Sequence, residues 1–394
     1  MSNLNVAVIG AGWMGHVHAR AYARLAQHWP DLGIRPSVVA VAESAAPAAE
    51  AFTRAHSGGR ADGIRVHSDW REVLADPEIG AVSVTAPNFL HREIGVAVAE
   101  AGKHLWIEKP VGLSAADATA VRDAVVANGV VGCVGFNYRN VPAVARARRL
   151  IASGAIGTPT HARVQLLTDY AAHPGSPFGW RYAVARGGHG VLGDLASHGV
   201  DLLRFVLGDV KALVAQTAIH IPKRPLVDVQ GHYSVVDVEA PGVEFGDVEN
   251  EDYVVALLTM ASGVLAVCEA NRAAVGEQNN YALEVHGTKG LIRWDFRRPG
   301  ELAVSSGETY AGQPTGTVFS EPGDGDYAAF QPGAGIAMSY DDTKVVEAAQ
   351  FVRAIERGAD HPDNHHATLH DAVASAEALD AMVASHETRK WVQL

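Results

Sequence analysis

From Val6 to about Phe136, short apolar runs alternate with longer stretches in which apolar residues recur at helical spacing. The runs Val6 to Ile9, Ser37 to Ala42, Ala81 to Thr85, His104 to Ile107 and Val130 to Gly135 predict strands buried on both faces. Trp13 to Gln27, Ala45 to His56, His91 to Ala101 and Ser114 to Asn128 predict the helices that cover them. Ala101-Gly102 supplies a helix stop, and Ser114 is placed to cap the helix that follows it. Strand and helix in alternation predict a doubly wound parallel sheet, an α/β architecture.

Beyond Asn137 the rhythm changes. A helix over Val141 to Ser153, a strand near His161 to Leu167 and a helix over Val191 to Leu207 lead into strands around Leu213 to His220, Val254 to Leu258, Leu265 to Arg272, Ala282 to His286 and Leu291 to Trp294. Two helices, Asp342 to Arg357 and Leu369 to Glu387, close the chain. With so little helix between the strands, the expectation is a large open sheet, mostly antiparallel, with helices on one face. The expected division is a dinucleotide-binding Rossmann domain over 1–136 and a substrate-binding and oligomerisation α+β domain over 137–394. Pro222 to Asn250, with Asp237, Glu239, Glu244, Asp247 and Glu249, and the glycine- and proline-rich Ser305 to Gly335 read as long, solvated surface excursions.

Composition narrows the function classes. The chain has 394 residues, 48% hydrophobic and 19% charged, which is ample for two cores and gives no sign of disorder. A formal charge of −12 argues against nucleic-acid and anionic-membrane partners, and the basic run Arg146, Arg148, Arg149 reads as a solvated helix face. No apolar run reaches the roughly 20 residues that span a bilayer. Cys133 and Cys268 have neither metal-ligand nor redox spacing and read as buried apolar residues. Only Met1 to Asn5 precede the first strand, so a cytoplasmic location is expected.

The chemistry concentrates at the ends of the predicted parallel strands. Gly10-Ala-Gly12-Trp13-Met14-Gly15 joins a strand to a helix, the context in which glycines allow a tight turn, backbone approach to a pyrophosphate and close helix packing. Glu43 ends the second strand, where a carboxylate can accept from ribose hydroxyls. It lies further beyond Gly15 than the usual interval of about 20, with Gln27 to Pro36 supplying the excess. Ser44 and Ala45 offer no cation for a 2′-phosphate, so NAD is expected rather than NADP. The turn Thr85-Ala-Pro87-Asn88-Phe-Leu-His91 is expected beside the cofactor, although His91 could equally be a helix-start residue with no ligand. Glu108-Lys109-Pro110 places a lysine at the same edge, where a positive nicotinamide would depress its pKa, or else forms a structural ion pair.

In Gly193-Asp194-Leu-Ala-Ser-His198, a carboxylate and an imidazole fall four residues apart on one helix face, suited to taking a hydroxyl proton and orienting the ring that takes it. Such a pair also arises by chance as a capping acid and a packed histidine, and it gains weight only beside Lys109. His361, His365, His366 and His370 lack a completing ligand pattern and read as a solvated turn or adventitious metal binders, so no metal site is expected.

These motifs in this order resemble the Gfo/Idh/MocA oxidoreductase family of glucose-fructose oxidoreductase and inositol dehydrogenase relatives. The likeness also covers Gly135-Phe136-Asn137-Tyr138-Arg139, Gly154-Ala-Ile-Gly157 and Trp180-Arg181. Phe136 to Val144, Asp169-Tyr170 and Pro174 to Arg181 look most like the levoglucosan dehydrogenase branch, while Gly187-Gly-His189-Gly departs from the pattern. The resemblance implies that Lys109 polarises the reacting hydroxyl, that His198 is general base, and that Asp194 holds substrate and orients His198. It implies that Arg139, Thr168, Trp180 and Arg181 line the sugar pocket and that Asn137 lies beside the cofactor. It further implies an open sheet face used in a homodimer or homotetramer. The expected activity is NAD-dependent oxidation of a secondary hydroxyl on a sugar, anhydrosugar or cyclitol. A glycosidase or lyase that retains NAD and oxidises its substrate transiently would use the same residues. A non-catalytic sensor is argued against by Lys109, Asp194 and His198 together.

Overall fold

Six parallel strands in the order β3-β2-β1-β4-β5-β6 form the first sheet of the computed structural model, which describes residues 2–58, 63–227 and 234–394. They are β1 (Ser2–Ile9), β2 (Ile34–Ala42), β3 (Arg65–His67), β4 (Ile79–Val84), β5 (His104–Ile107) and β6 (Gly132–Val134). Helices α1 (Trp13–His28), α2 (Ala46–His56), α3 (Trp70–Ala75), α4 (Asn88–Glu100) and α5 (Ala115–Ala127) connect them. The apolar runs behave as their lack of alternation requires: Val6, Ala7 and Val8 are all fully buried, as are Leu105, Trp106 and Ile107. Ser114 caps α5 by accepting from the Asp117 amide, as expected. The short β3 and α3 were not legible, being too brief to show a period.

The chain forms two compact units, Met1–Asn140 with Met338–Val373 and Val141–Ala337 with Ala374–Leu394. The expected boundary at 136 and 137 misses a return of the chain. Helix α9 (Tyr340–Arg357) belongs with the first unit, where Phe351 packs against Trp106, and Asp341 and Asp342 pair with Arg20 and Arg24 of α1.

The second unit is built on a nine-stranded sheet in the order β16-β15-β14-β13-β7-β12-β11-β8-β17. Its strands are β7 (Pro159–Leu167), β8 (Val210–Ala218), β11 (Tyr253–Met260), β12 (Leu265–Asn271), β13 (Asn280–Gly287), β14 (Gly290–Asp295), β15 (Glu301–Ser306), β16 (Gly316–Phe319) and β17 (Val392–Gln393). Only β7 and β12 pair in parallel. β9 (Lys223–Pro225) and β10 (Phe245–Asp247) make a separate two-stranded ribbon. The helices of this unit include α6 (Pro142–Ala152), the short α7 (Val184–Gly187) and α8 (Ser197–Leu207), and the division between the units falls within α10 (Leu369–Thr388).

Alternation sorts the large sheet's two faces. Ala162, Val164 and Leu166 of β7 and Ala266, Cys268 and Ala270 of β12 are buried, and α8 lies against them so closely that a Cβ at Gly199 would come within 2.7 Å of Leu166. The opposite face carries His161, Arg163, Leu257, Leu265, Val267, Glu284 and His286, which with Trp391 line a groove of about 250 Å³. Leu257, Leu265 and Trp391 are each at least half exposed there, on the face where the family resemblance expects a subunit contact.

Both excursions are tied down rather than simply solvated. Asp324, fully buried, accepts from Arg146 and Arg149, so most of the basic run anchors the second excursion, while Arg148 lies over the Phe205 ring. In the first excursion, of which residues 228–233 fall outside the described set, the Arg224 guanidinium is fully buried. Cys133 and Cys268 are buried, as expected.

Candidate active site

In the first sheet the strand order reverses between β1 and β4, the point at which ligands bind beyond the carboxyl ends of such strands. The turns leaving the two strands are bonded to each other. The Thr85 amide donates to the Ile9 carbonyl at 2.9 Å, and Thr85 Oγ1 donates to the Gly10 carbonyl at 2.7 Å. The three glycines serve different purposes. Gly10 has φ +98° and faces the Thr85 backbone, which an added Cβ would approach to 2.8 Å. At Gly15 a Cβ would come within 2.2 Å of the Gly10 carbonyl oxygen, so glycine is what lets α1 start against the turn. At Gly12 a Cβ would meet nothing within 4 Å, and φ is −73°. The protein itself does not need glycine there; a pyrophosphate approaching the backbone does.

Glu43 completes this cradle. Its Oε2 accepts from the Ala11 amide at 2.9 Å and its Oε1 from the Ala45 amide at 3.0 Å, which sets the carboxylate beside the turn where ribose hydroxyls are bound in this fold. Trp13 stacks on Tyr340 with centroids 5.6 Å apart, and the Tyr340 hydroxyl lies 3.9 Å from Met14 Sδ. The donor set of this edge fits a dinucleotide.

At the end of β5, the Glu108 side chain is bonded within the protein. Its Oε1 meets His18 Nε2 at 2.9 Å and Lys344 Nζ at 2.5 Å, and Lys344 also bonds Glu347 Oε1 at 3.0 Å. Trp106 Nε1 donates to the same Glu347 oxygen at 2.7 Å, and the His18 ring stacks on Trp106 with centroids 3.6 Å apart. His18, Glu108 and Glu347 are close enough to ligate a metal ion, but the Lys344 ammonium contacts both carboxylates and supplies the cation. Burial pushes Glu108 up, yet the Lys344 charge and the bonds from His18 and Lys344 outweigh it and hold the carboxyl well below its ordinary value. Burial raises Glu347 to about 7 against the pull of Lys344, and lowers His18 to about 4 against its bond to Glu108. A buried ion cluster of this kind is weak evidence for net stability but good evidence for a fixed arrangement. It fixes the residue adjoining Lys109. Gly135 leaves room for it, since a Cβ there would lie within 2.6 Å of the Glu108 carboxylate.

His91, in the turn expected beside the cofactor, bridges two turns. One ring nitrogen faces the Pro110 carbonyl and the other the Ala86 carbonyl, both at 2.7 Å. Two carbonyl acceptors favour an imidazolium, whereas full burial pulls the pKa down; burial is the larger effect. Helix α4 begins at Asn88 directly after Pro87, so His91 stands in its first turn, beneath the crevice. Asn137 donates from Nδ2 to Thr343 Oγ1 at 2.9 Å, and Arg139, buried, pairs with Asp371 at 3.3 Å. Of the four C-terminal histidines, His366 is buried and lowered to about 4, His361 is exposed, and none belongs to a metal-competent group among the described residues.

The second unit carries the other expected residues. Asp194 does not lie in a plain α-helical turn: Leu192–Ala196 forms a π-helical segment that leads into α8, where His198 is buried in the first turn. Single π turns recur at functional sites because they shift side chains relative to the helix that follows. Glu251 holds the start of this segment, its carbonyl accepting from the Val191 amide at 2.8 Å and its Oε1 from the Leu192 amide at 3.0 Å. Glu249 does the same for α7 by accepting from the Val184 amide at 2.7 Å. The acidic excursion thus ends by capping the elements around the site. Thr168 is buried at the end of β7, and the Arg181 guanidinium lies over the Trp180 ring at 4.3 Å. Lys109 belongs to the first unit and Asp194, His198, Thr168, Trp180 and Arg181 to the second.

A model of the oxidoreductase family with an NAD-binding Rossmann fold matches residues 4–138, and one of the GFO/IDH/MocA C-terminal domain matches residues 144–293. The chain belongs to the GFO/IDH/MocA oxidoreductase family. Levoglucosan dehydrogenase of Pseudarthrobacter phenanthrenivorans is 36% identical to it over 100% of this chain and 99% of the relative. Inositol 2-dehydrogenase of Rhizobium meliloti is 27% identical over 98% of both chains. Among solved structures, levoglucosan dehydrogenase in complex with NADH and L-sorbose has a TM-score of 0.90 at 34% identity, covering 100% of this chain and 99% of that one. The GFO/IDH/MocA assignment accounts for the NAD-binding Rossmann sheet and the mixed second sheet, and it makes the chain a nicotinamide-dependent oxidoreductase. Among the described residues, no helix is long and apolar enough to cross a membrane.

Sequence reading missed His18, Lys344 and Glu347, and gave Tyr170 no role of its own. A signal for Lys344 and Glu347 existed: both occupy positions on α9 that the helical period assigns to the core, between Thr343 and Phe351. His18 stands likewise on the buried face of α1.

Proposed function

We propose that this protein oxidises a secondary hydroxyl of a pyranose, anhydrosugar or cyclitol to a ketone with NAD, and that levoglucosan is the first substrate to test. The observation that carries the reading is the full-length likeness to levoglucosan dehydrogenase, at 36% identity. In this reading Lys109, Asp194 and His198 take the roles that the resemblance implies for them, substrate polarisation, substrate holding and general base. NAD, when bound, accepts the hydride that leaves the carbinol carbon. His198 takes the hydroxyl proton as that C–H bond breaks, so the oxygen closes to a carbonyl without passing through a free alkoxide. Lys109 donates a hydrogen bond to the same oxygen and stabilises the negative charge that grows on it. Asp194 accepts from a neighbouring sugar hydroxyl and orients the imidazole. Glu43 accepts from the adenosine ribose, and the amides around Gly12 bind the pyrophosphate.

The test is NADH formation at mildly alkaline pH against levoglucosan, inositols, glucose, xylose and galactose. A signal that requires NAD is expected, strongest with levoglucosan. His198→Ala should lower kcat by at least about a hundredfold with NAD affinity unchanged, the scale of a lost general base. Unchanged turnover in that variant would sink the assignment of the base. Silence across the panel, with release of free sugar from a glycoside, would move the activity to the NAD-retaining glycosidase or lyase.

A further inference from the structure

Tyr170 follows β7 in a loop that is held on both sides. The Thr168 amide donates to the Asn271 carbonyl at 2.9 Å and the Ala171 amide to the Arg272 carbonyl at 3.0 Å. From the acidic excursion, the buried Arg224 guanidinium donates to the Ala171 carbonyl at 2.5 Å and the His173 carbonyl at 3.1 Å, and lies over the Tyr182 ring at 4.3 Å. Arg272 lies over the same ring at 4.9 Å and bonds Asp252 at 2.7 Å. Between these clamps the Tyr170 hydroxyl donates to Asp194 Oδ2 at 2.5 Å, the length of a hydrogen bond to a charged acceptor. Asp194 is fixed from its own side as well, its amide donating to the Gly190 carbonyl at 3.1 Å.

We propose that Tyr170 is a positioning residue for Asp194, its hydroxyl aiming the carboxylate and keeping it ionised for the sugar and for His198, while Arg224 of the excursion holds the Tyr170 loop. The inference rests on the role given to Asp194 above. Burial, and then the Asp194 charge, push the Tyr170 hydroxyl well above its ordinary pKa, so it remains a donor across the working range. The charged and titratable groups that act on the Tyr170 hydroxyl are Asp194, Arg272 and Tyr182, and Arg224 interacts with it from the excursion. Arg272 acts on this pair through its charge alone, whereas the bond from Tyr170 is directed and orients the Asp194 carboxylate. The excursion, absent from the motifs that identify the family, thereby acquires a role: it buttresses the loop behind the catalytic carboxylate.

The experiment compares wild type, Tyr170→Phe and Asp194→Asn as holoenzymes, with NAD and levoglucosan. Tyr170→Phe keeps the ring and its packing, so its melting temperature should stay within a few degrees of wild type. Its kcat should fall roughly 10- to 100-fold, the worth of a charge-assisted hydrogen bond. The acid limb of kcat/KM, set by the base, should move to lower pH, because the imidazolium formed at His198 has lost a carboxylate aimed at it. Affinity for NAD should not change. A merely structural role would lower the melting temperature and leave the acid limb where it was, and that result overturns the proposal. Asp194→Asn separates the two levels. If it is inactive while Tyr170→Phe matches wild type, only the inference about Tyr170 falls; if Asp194→Asn keeps wild-type turnover, the role of Asp194 falls and the inference with it.

Discussion

Lys344→Met removes the ammonium that bridges Glu108 and Glu347 and leaves the surrounding packing intact. Lys344 and Glu347 are essentially inaccessible and Glu108 nearly so, so water cannot replace the lost partner. Deleting one member of a buried ion pair costs about 3–5 kcal/mol, because the other member stays buried and uncompensated. The two carboxylates do not share that cost equally. Glu347 is already raised to about 7 and escapes by taking up a proton, whereas Glu108 keeps only the bond from His18. Most of the loss is therefore assigned to Glu108, and Glu108→Gln combined with Lys344→Met should recover about 1.5 kcal/mol or more of it. For a unit of this size the single variant should lower the melting temperature by roughly 6–20 °C. Because the chain has two units, the appropriate assay is native-state hydrogen exchange of the β5 and α9 amides, which reports the first unit alone. A single variant within about 1 kcal/mol of wild type, or a double variant no better than the single, would refute the view that the cluster is one charge-balanced set.

Two further outcomes follow from the same geometry. Glu347 has its folded pKa raised from 4.5 to about 7, so the native state binds the extra proton between those values and stability declines as pH rises through that window. Glu347→Gln cannot titrate and should gain up to about 3 kcal/mol on wild type between pH 5 and pH 8, as read by denaturant unfolding at each pH; parallel pH profiles would refute the assignment. Gly12→Ala and Gly15→Ala should fail in different ways. The first should fold with a wild-type melting curve and lose NAD affinity by at least about tenfold in calorimetric titration, since its Cβ meets only the space a pyrophosphate needs. The second should be destabilised with or without NAD, because its Cβ would overlap the Gly10 carbonyl. Equal effects from both would contradict the division of labour among the glycines.

The Rossmann sheet was legible because a strand buried on both faces writes itself as an unbroken apolar run, and its glycine turn and capping serine are local features with local causes. Six strands of the second sheet, β7, β8 and β11 to β14, were legible from their apolar or alternating runs, whereas β15, β16 and β17 were not expected, and β16 falls within Ser305 to Gly335, which read as a surface excursion. Sequence spacing also put Asp194 and His198 near each other, but it assumed an α-helical turn where the chain makes a π segment. The segment's first amides are held by Glu251, more than fifty residues away, a contact that no local pattern records. The two excursions looked solvated because proline, glycine and acid dominate them, and the few residues that anchor them, Arg224 and Asp324, carry no period to reveal it.

What the sequence determined by itself is what periodicity and adjacency can encode: the order of elements, the two sheets, the cradle of Gly10, Gly12, Gly15 and Glu43, and the family to which those motifs point. What only the tertiary structure decided is which polar groups serve a ligand and which serve the protein. Glu108 and His91 could each be read as a cofactor neighbour or as a structural residue, and their side-chain polar atoms bond His18, Lys344 and two backbone carbonyls. Tyr170 entered only as part of the Asp169-Tyr170 likeness to one branch of the family, yet its hydroxyl donates to Asp194. The physical reason is that a buried polar group must find its partner wherever the fold brings one, and across a sequence separation such as that between Glu108 and Lys344 no local pattern records the meeting.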